Sequence, residues 1–347
     1  MSKATGWNTF LGVPTMNRRA DKDEVGSKVS STFIVTSDCA NAKSSFDLLV
    51  ALGRLTSGLC MLICGESGVG KSTLVKWLMR DLGGRRGGEG KISPAIYVEI
   101  PTAPTAIAVF EALLTALGDP RPSKGTRPTK KRRVVKMLGE QQVRLIVLDD
   151  LQHIVDRSSD RILFDASEAI KEVLIDYPVS VLCAGLADSM RVIKSNEQLS
   201  RRYMATVHIK RFNWRSVRSR RSFVRVLGAF EHTLDSYDLP ELQSEEVAYR
   251  FFIATGGIMD FVSKIFLFAA TIAEARRSKV IGFEIFHEAW RRAFLHSECG
   301  DAPFANDFVI GENQEEQLKR ALSINLPPPR QRLRKDKAKS RLQEIGL

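Results

Sequence analysis

Residues 59–73 read Leu-Cys-Met-Leu-Ile-Cys-Gly-Glu-Ser-Gly-Val-Gly-Lys-Ser-Thr, and this stretch decides the fold. Six apolar residues without polar alternation predict a strand buried on both faces. The glycines after it let the backbone turn with its N–H groups pointing inward, and the helical run KSTLVKWLM opens directly on Lys71. A strand, a glycine turn and a helix N-terminus in that order make an anion nest. Gly65, Gly70, Lys71 and Ser72 satisfy the phosphate-loop spacing G-x-x-x-x-G-K-[ST]. In that loop the lysine reaches the β- and γ-phosphates and the serine hydroxyl joins the shell of Mg²⁺. The expected nucleotide-binding residues are Gly65, Glu66, Ser67, Gly68, Val69, Gly70, Lys71, Ser72 and Thr73, and the expected cofactors are ATP and Mg²⁺.

Outward from the loop, apolar strands at 59–64, 95–100, 143–149, 179–184 and 206–211 alternate with helical runs at 71–82, 105–117, 130–140, 165–176 and 188–194. That alternation predicts a five-stranded parallel sheet covered by helices on both faces, over residues 31–213. Strand signals stop after Trp214. Residues 214–297 read as helices at 216–234, 244–255, 258–276 and 282–296, broken by Leu239-Pro240 and Gly256-Gly257, which predicts a small all-helical lid domain. Residues 1–30 are polar and without period, an expected flexible arm. Residues 298–347 end in the basic run RQRLRKDKAKSRLQEIGL, an expected tail.

A phosphate loop that hydrolyses ATP needs an acid strand. Leu145-Ile146-Val147-Leu148-Asp149-Asp150 supplies one, with Asp149 placed to hold Mg²⁺ and Asp150 placed as the base that polarises the attacking water. Three residues on, His153 reads as a packing residue. Cys60, Cys64 and Cys183 fall in apolar runs and read as small core hydrophobes, which suits a reducing cytoplasm. No apolar run reaches the roughly 18 residues of a membrane span. The chain of 347 residues carries 52 Lys and Arg against 40 Asp and Glu, a net charge of +12, which favours a polyanionic partner, nucleic acid before membrane.

The ordered set CGESGVGKSTLV, YVEIPTAP, EALLTALGDP, LIVLDDLQHIV, VSVLCAGLADSM, EQLSRRY, KRFNW and ATGGIMDFVSKIFLFAATIA resembles the TniB/TnsC family of AAA+ ATPases, the target-selection regulators of bacterial DNA transposition. The resemblance runs over residues 45 to 295. It implies an AAA+ core with a helical lid, an ATP-dependent homo-oligomer (a ring or helical filament) on double-stranded DNA, a DDE transposase as one partner and a TniQ-like target-selection protein as another. It also implies an arginine completing a neighbour's ATP site. Arg202 matches that position and Arg201 is the alternate; Lys264 is the candidate sensor in the lid.

The chain departs from the family twice. The acid pair is Asp-Asp where Asp-Glu is usual, and Leu186 stands where a polar sensor, often threonine, follows the fourth strand. A base one methylene short and a missing sensor together imply slow hydrolysis. Arg121, Lys124, Arg127, Lys130, Lys131, Arg132 and Arg133 form the first basic cluster and are the expected DNA contacts. A second cluster runs from Lys210 to Arg225, and the tail is a third. Few aromatics interleave, so sequence-independent phosphate contact is expected rather than base stacking. An AAA+ replication initiator or helicase loader is the alternative function, and a signalling NTPase or kinase built on the same loop is a further one.

Overall fold

The computed structural model describes residues 24–53, 55, 58–82, 85–87, 90–102, 105–156, 160–293, 302–310 and 313–324. The chain enters through α1 (Glu24–Ser31) and α2 (Ser37–Leu52), the second capped by Thr36, whose hydroxyl accepts the Cys39 N–H. β1 (Cys60–Gly65) leads into α3 (Lys71–Met79), which tightens into a 3₁₀ turn at Arg80–Leu82. A hairpin of β2 (Arg85–Gly87) and β3 (Gly90–Ile92) precedes β4 (Ala95–Glu99). Next come α4 (Ala106–Ala116), α5 (Arg127–Glu140) and β5 (Leu145–Asp149), then α6 (His153–Asp156), α7 (Asp160–Asp176) and β6 (Ser180–Gly185). α8 (Met190–Lys194) and α9 (Glu197–Arg201) lead to β7 (Tyr203–Ile209). The rest is helical: α10 (Val217–Thr233), α11 (Glu245–Thr255), α12 (Met259–Ala275), α13 (Phe283–Ala293) and α14 (Gln314–Ser323).

Five strands form one parallel sheet in the order β4-β5-β6-β1-β7. Side chains alternate across it. Cys60, Leu62 and Cys64 of β1 join Ile146, Leu148 and Cys183 in a core under α4, α5 and α7, while Met61 and Ile63 face α2 and α3 on the other side. Both faces are covered, as a parallel sheet requires. Cys60, Cys64 and Cys183 are buried and unbridged.

The helical domain has its own core of aromatic rings. Phe251 stacks on Phe266 at 5.0 Å and meets Phe286 and Phe304 edge-on at 5.0 and 4.9 Å. Two segments read from sequence as arm and tail contribute to it. Val29 of α1 and Leu318 and Ala321 of α14 are buried there, so Glu24–Ser31 and Gln314–Ser323 are helices of this domain. The arm up to residue 23 and the tail from residue 325 lie outside the described residues. Among the described residues no single helix is long and apolar enough to cross a membrane.

Element boundaries shift for local reasons. α5 begins at Arg127 rather than 130 because Thr126 is extended and Pro128 fits a first helical turn, where its missing N–H is not needed. β7 starts at Tyr203 rather than 206, paired from there with Cys60. α9, five residues under an Asn196 cap, has too little length to show as a period in sequence.

Candidate functional site

The loop between β1 and α3 owes its shape to two glycines. Gly68 (φ +79°) and Gly70 (φ +95°) take the left-handed backbone that side chains avoid. Gly68 is also closed in from the helical domain: its carbonyl accepts the Asp260 N–H at 2.9 Å, and a Cβ would press on Ile258. Lys71 opens α3, is nearly buried, and donates to the carbonyls of Gly65 (3.1 Å) and Glu66 (2.7 Å). Burial pushes its ammonium below the usual lysine range. Asp149 and Asp150, with smaller effects from Cys64 and Glu66, pull it back up.

Asp149 ends β5 fully buried. Its Oδ2 accepts the Tyr97 hydroxyl at 2.7 Å and its Oδ1 accepts the Asp150 N–H at 2.8 Å. Burial, then this hydrogen bond, holds the Tyr97 phenol well above its ordinary range, so it acts as a donor. Asp150 sits at φ +56°, an uncommon conformation for a residue with a side chain. The Gln152 carboxamide donates to Asp150 Oδ1 at 2.8 Å. His153 bonds through Nδ1 to the Ile100 carbonyl at 2.8 Å, which fixes it as a packing residue.

Lys71, Asp150 and Gln152 border a cavity of about 950 Å³ between the sheet and the helical domain, with Asp149 buried behind it. Lys71, Ser72, Thr73, Asp150 and Gln152 line the sheet side. Residues 32–39 and the strand exit at 209–213 line its flanks, and Met259, Asp260 and Lys264 line the helical side. Lys264, the candidate lid sensor, therefore faces this cavity, paired to Asp260 at 2.7 Å. Ser72 and Asp149 are hard oxygen donors and fit a small divalent cation; the carboxylate keeps acceptor capacity beyond its two hydrogen bonds.

Arg211, just past β7, is a residue that sequence reading passed over as one of a basic run. Its side chain is nearly buried. It holds Glu66 of the phosphate loop (Nε to Oε2, 2.7 Å) and the carbonyls of Leu322 and Ile324, at 3.2 and 3.1 Å from Nη1. The signal for it was weak: an arginine two residues after a strand that neighbours the loop strand.

Arg202 lies at the other end of the sheet. Tyr203 pairs with Cys60, where β1 begins, and Ile209 with Gly65, where it ends. Six residues at roughly 3.3 Å each put Arg202 about 20 Å from its own phosphate loop. It packs by Gly58 and donates to the Leu174 carbonyl at 3.4 Å, whereas Arg201 is exposed on Glu197.

The first basic cluster is largely neutralised from within. Lys130 is a correction. It is buried at 1% exposure on Glu111 (2.7 Å) and on the Pro122 and Ser123 carbonyls, and its amine is out of reach of a DNA backbone. Arg127 pairs with Glu172 at 2.6 Å, and Lys131 with Asp176 at 2.8 Å. Arg133 holds Asp119 and the carbonyls of Lys124 and Arg121. Arg121, Lys124 and Arg132 are exposed and carry no ion pair among the described residues.

Residues 29–214 match the family model described as TniB, Bacterial TniB protein. No curated protein matches the chain in sequence. In structure it is similar to the ORC2 protein of Aeropyrum pernix in its ADPNP–ADP complexes, with TM-score 0.57 and 13% identity over 78% of this chain and 72% of that one. It is similar to the ORC1 protein of the same organism in complex with DNA (TM-score 0.56, 18% identity, 79% and 69% covered). Cdc6p of Pyrobaculum aerophilum gives 0.55 and 15%, over 78% and 71%. At these identities the likeness is one of fold, a parallel-sheet core followed by a helical domain.

Proposed function

The chain belongs to the TniB family, and on that footing we propose that it is an AAA+ ATPase regulating DNA transposition, one that assembles on duplex DNA when ATP is bound. The observation that carries the reading is one cavity that brings together Lys71, Ser72 and Asp150 under a helical domain touching the same loop. In this reading the Gly65–Thr73 nest and Lys71 bind the triphosphate. A water oxygen bonds to the γ-phosphorus, the bond to the bridging oxygen breaks, and ADP leaves with that electron pair. Asp150 takes the water's proton and returns it to phosphate. Ser72 and Asp149 would hold Mg²⁺, which would supply positive charge to the phosphates. Arg202, too far from its own site, reaches the γ-phosphate of an adjacent copy. Arg121, Lys124 and Arg132 meet backbone phosphates. A DDE transposase and a TniQ-like protein are the partners that the family implies.

The net charge of +12 and a fold shared with the ORC1 protein in complex with DNA support duplex DNA as the polyanion. The same likeness makes a replication-initiator role the second reading, separated by whether the ATP-bound protein captures a transposase or a helicase.

The test is one set of titrations. Lys71→Ala removes the cation of the nest and is expected to weaken ATP binding about a hundredfold by calorimetry with the melting temperature kept. Wild-type protein is expected to bind duplexes of any sequence tightly with ATP and weakly with ADP, with log affinity falling by about 0.9 per neutralised phosphate for each tenfold rise in salt. Unchanged ATP affinity in the variant, or equal duplex affinity in all nucleotide states, removes this reading.

A further inference from the structure

The position after β6 where a polar sensor is usual holds Leu186, yet a polar side chain does reach that point, from the neighbouring strand's loop. We propose that Gln152 is the positioning residue for ATP hydrolysis: its carboxamide, anchored on the Leu186 backbone, fixes the Asp150 carboxylate that accepts the proton of the attacking water. The inference rests on Asp150 being that base.

The geometry is a two-point bridge. Gln152 Oε1 accepts the Leu186 N–H at 3.3 Å, and Nε2 donates to Asp150 Oδ1 at 2.8 Å. Only this orientation of the amide works. Flipped, its oxygen would face a carboxylate and its NH₂ an N–H, two repulsions in place of two bonds. Room for the bridge comes from Gly185, where a Cβ would sit 2.9 Å from Oε1. The loop that carries Gln152 is tied to the same strand, because the Leu151 N–H donates to the Ala184 carbonyl at 2.9 Å. The end of β6 and the end of β5 are thus joined through one side chain, and both it and Asp150 face the cavity.

What the bridge does follows from the base it holds. Aspartate has fewer torsions than glutamate but less reach, so its placement must be set by the backbone and by a partner. The left-handed backbone at Asp150 supplies the first and Gln152 the second. One oxygen of Asp150 is held, which leaves the other to meet water. Movement of the β6 end, where Leu186 borders the cavity, is passed to the base through the amide, so the bridge performs the sensing role that the Leu186 side chain cannot. The charged groups that bear on Asp150 are Lys71 in the cavity and Asp149 behind it, with Tyr97 near enough to feel its charge.

Steady-state ATP hydrolysis by the full chain, with calorimetry and melting alongside, tests this. Gln152→Ala is expected to lower kcat about tenfold with KM, ATP affinity and melting temperature unchanged. Gln152→Glu is isosteric and keeps the test alive should the alanine variant fail to fold. A glutamate carboxylate offers Asp150 no N–H, so kcat is expected to fall there as well, again with KM unchanged. A Gln152→Ala or Gln152→Glu enzyme with wild-type kcat overturns the proposal while Asp150→Asn is still impaired. If Asp150→Asn itself hydrolyses at the wild-type rate, the base has been misplaced and the inference falls with it.

Discussion

Lys130 shows how a charge that looks available can be used up inside the fold. Its ammonium meets Glu111 and two carbonyls of the segment between α4 and α5, so it closes that segment as a staple would. Removing the amine strands two carbonyls and half of an ion pair whose other half is only partly exposed. Lys130→Ala is therefore expected to cost about 2–3 kcal/mol of stability and to leave duplex affinity unchanged, read by denaturant melts and a DNA titration. Reversing Arg121 and Arg132 to Glu is expected to give the opposite pair of results. Sequence could not separate these residues, because it shows a charge and not the partner: Glu111 lies 19 positions before Lys130, and Glu172 lies 45 after Arg127. The phosphate loop was legible for the contrary reason. Its chemistry is backbone chemistry, and glycine spacing dictates it locally. Gln152 was not legible, since nothing in LDDLQ tells which way a glutamine two residues past Asp150 will turn.

α14 was hidden by its surroundings. A ten-residue helix with acidic residues in its first turn sits in a stretch that composition alone marks as tail. What holds it is tertiary: Leu318 and Ala321 enter the helical core, Gln317 Oε1 accepts the Tyr249 hydroxyl at 3.0 Å, and Arg211 takes the carbonyls where the helix ends. α1 escaped notice in the same way, being eight residues long with little net hydropathy. By contrast, the sheet and the helices over it carry long, strongly patterned runs that propensity and period both serve. Because Arg211 bonds the α14 exit and Glu66 together, the helix and the phosphate loop are energetically joined. Ending the chain at residue 312 is expected to lower the melting temperature and to weaken ATP binding about tenfold, the size of one charge-assisted hydrogen bond. Arg211→Ala in the full chain is expected to reproduce the affinity loss, and a stop after Pro329 to do neither. Calorimetry on the three proteins decides it, and normal ATP affinity in the 312 truncation would show that the helix is only a cover.

On the scale of the whole molecule, the phosphate loop and Arg202 occupy opposite ends of β1 and β7, so a single copy cannot use both on one nucleotide. Lys71→Ala and Arg202→Ala proteins are each expected to hydrolyse ATP at under about a tenth of the wild-type rate. An equal mixture is expected to recover part of it at interfaces that pair an intact loop with an intact arginine. Mixed-protein assays that stay at the level of the separate variants would move the role to Arg201 or away from this edge. A last consequence lies in the path of the chain. α1 packs with α10 and α12 in the helical domain, yet it precedes the core in sequence, so the core is an insertion between two parts of that domain. Two covalent crossings, residues 32–36 and 210–216, join the bodies, and both border the cavity. A body hung from one thread turns about any axis; hung from two, it swings about the line between them. Any opening of the cavity is thereby confined to that line, and twisting is opposed by connectivity alone.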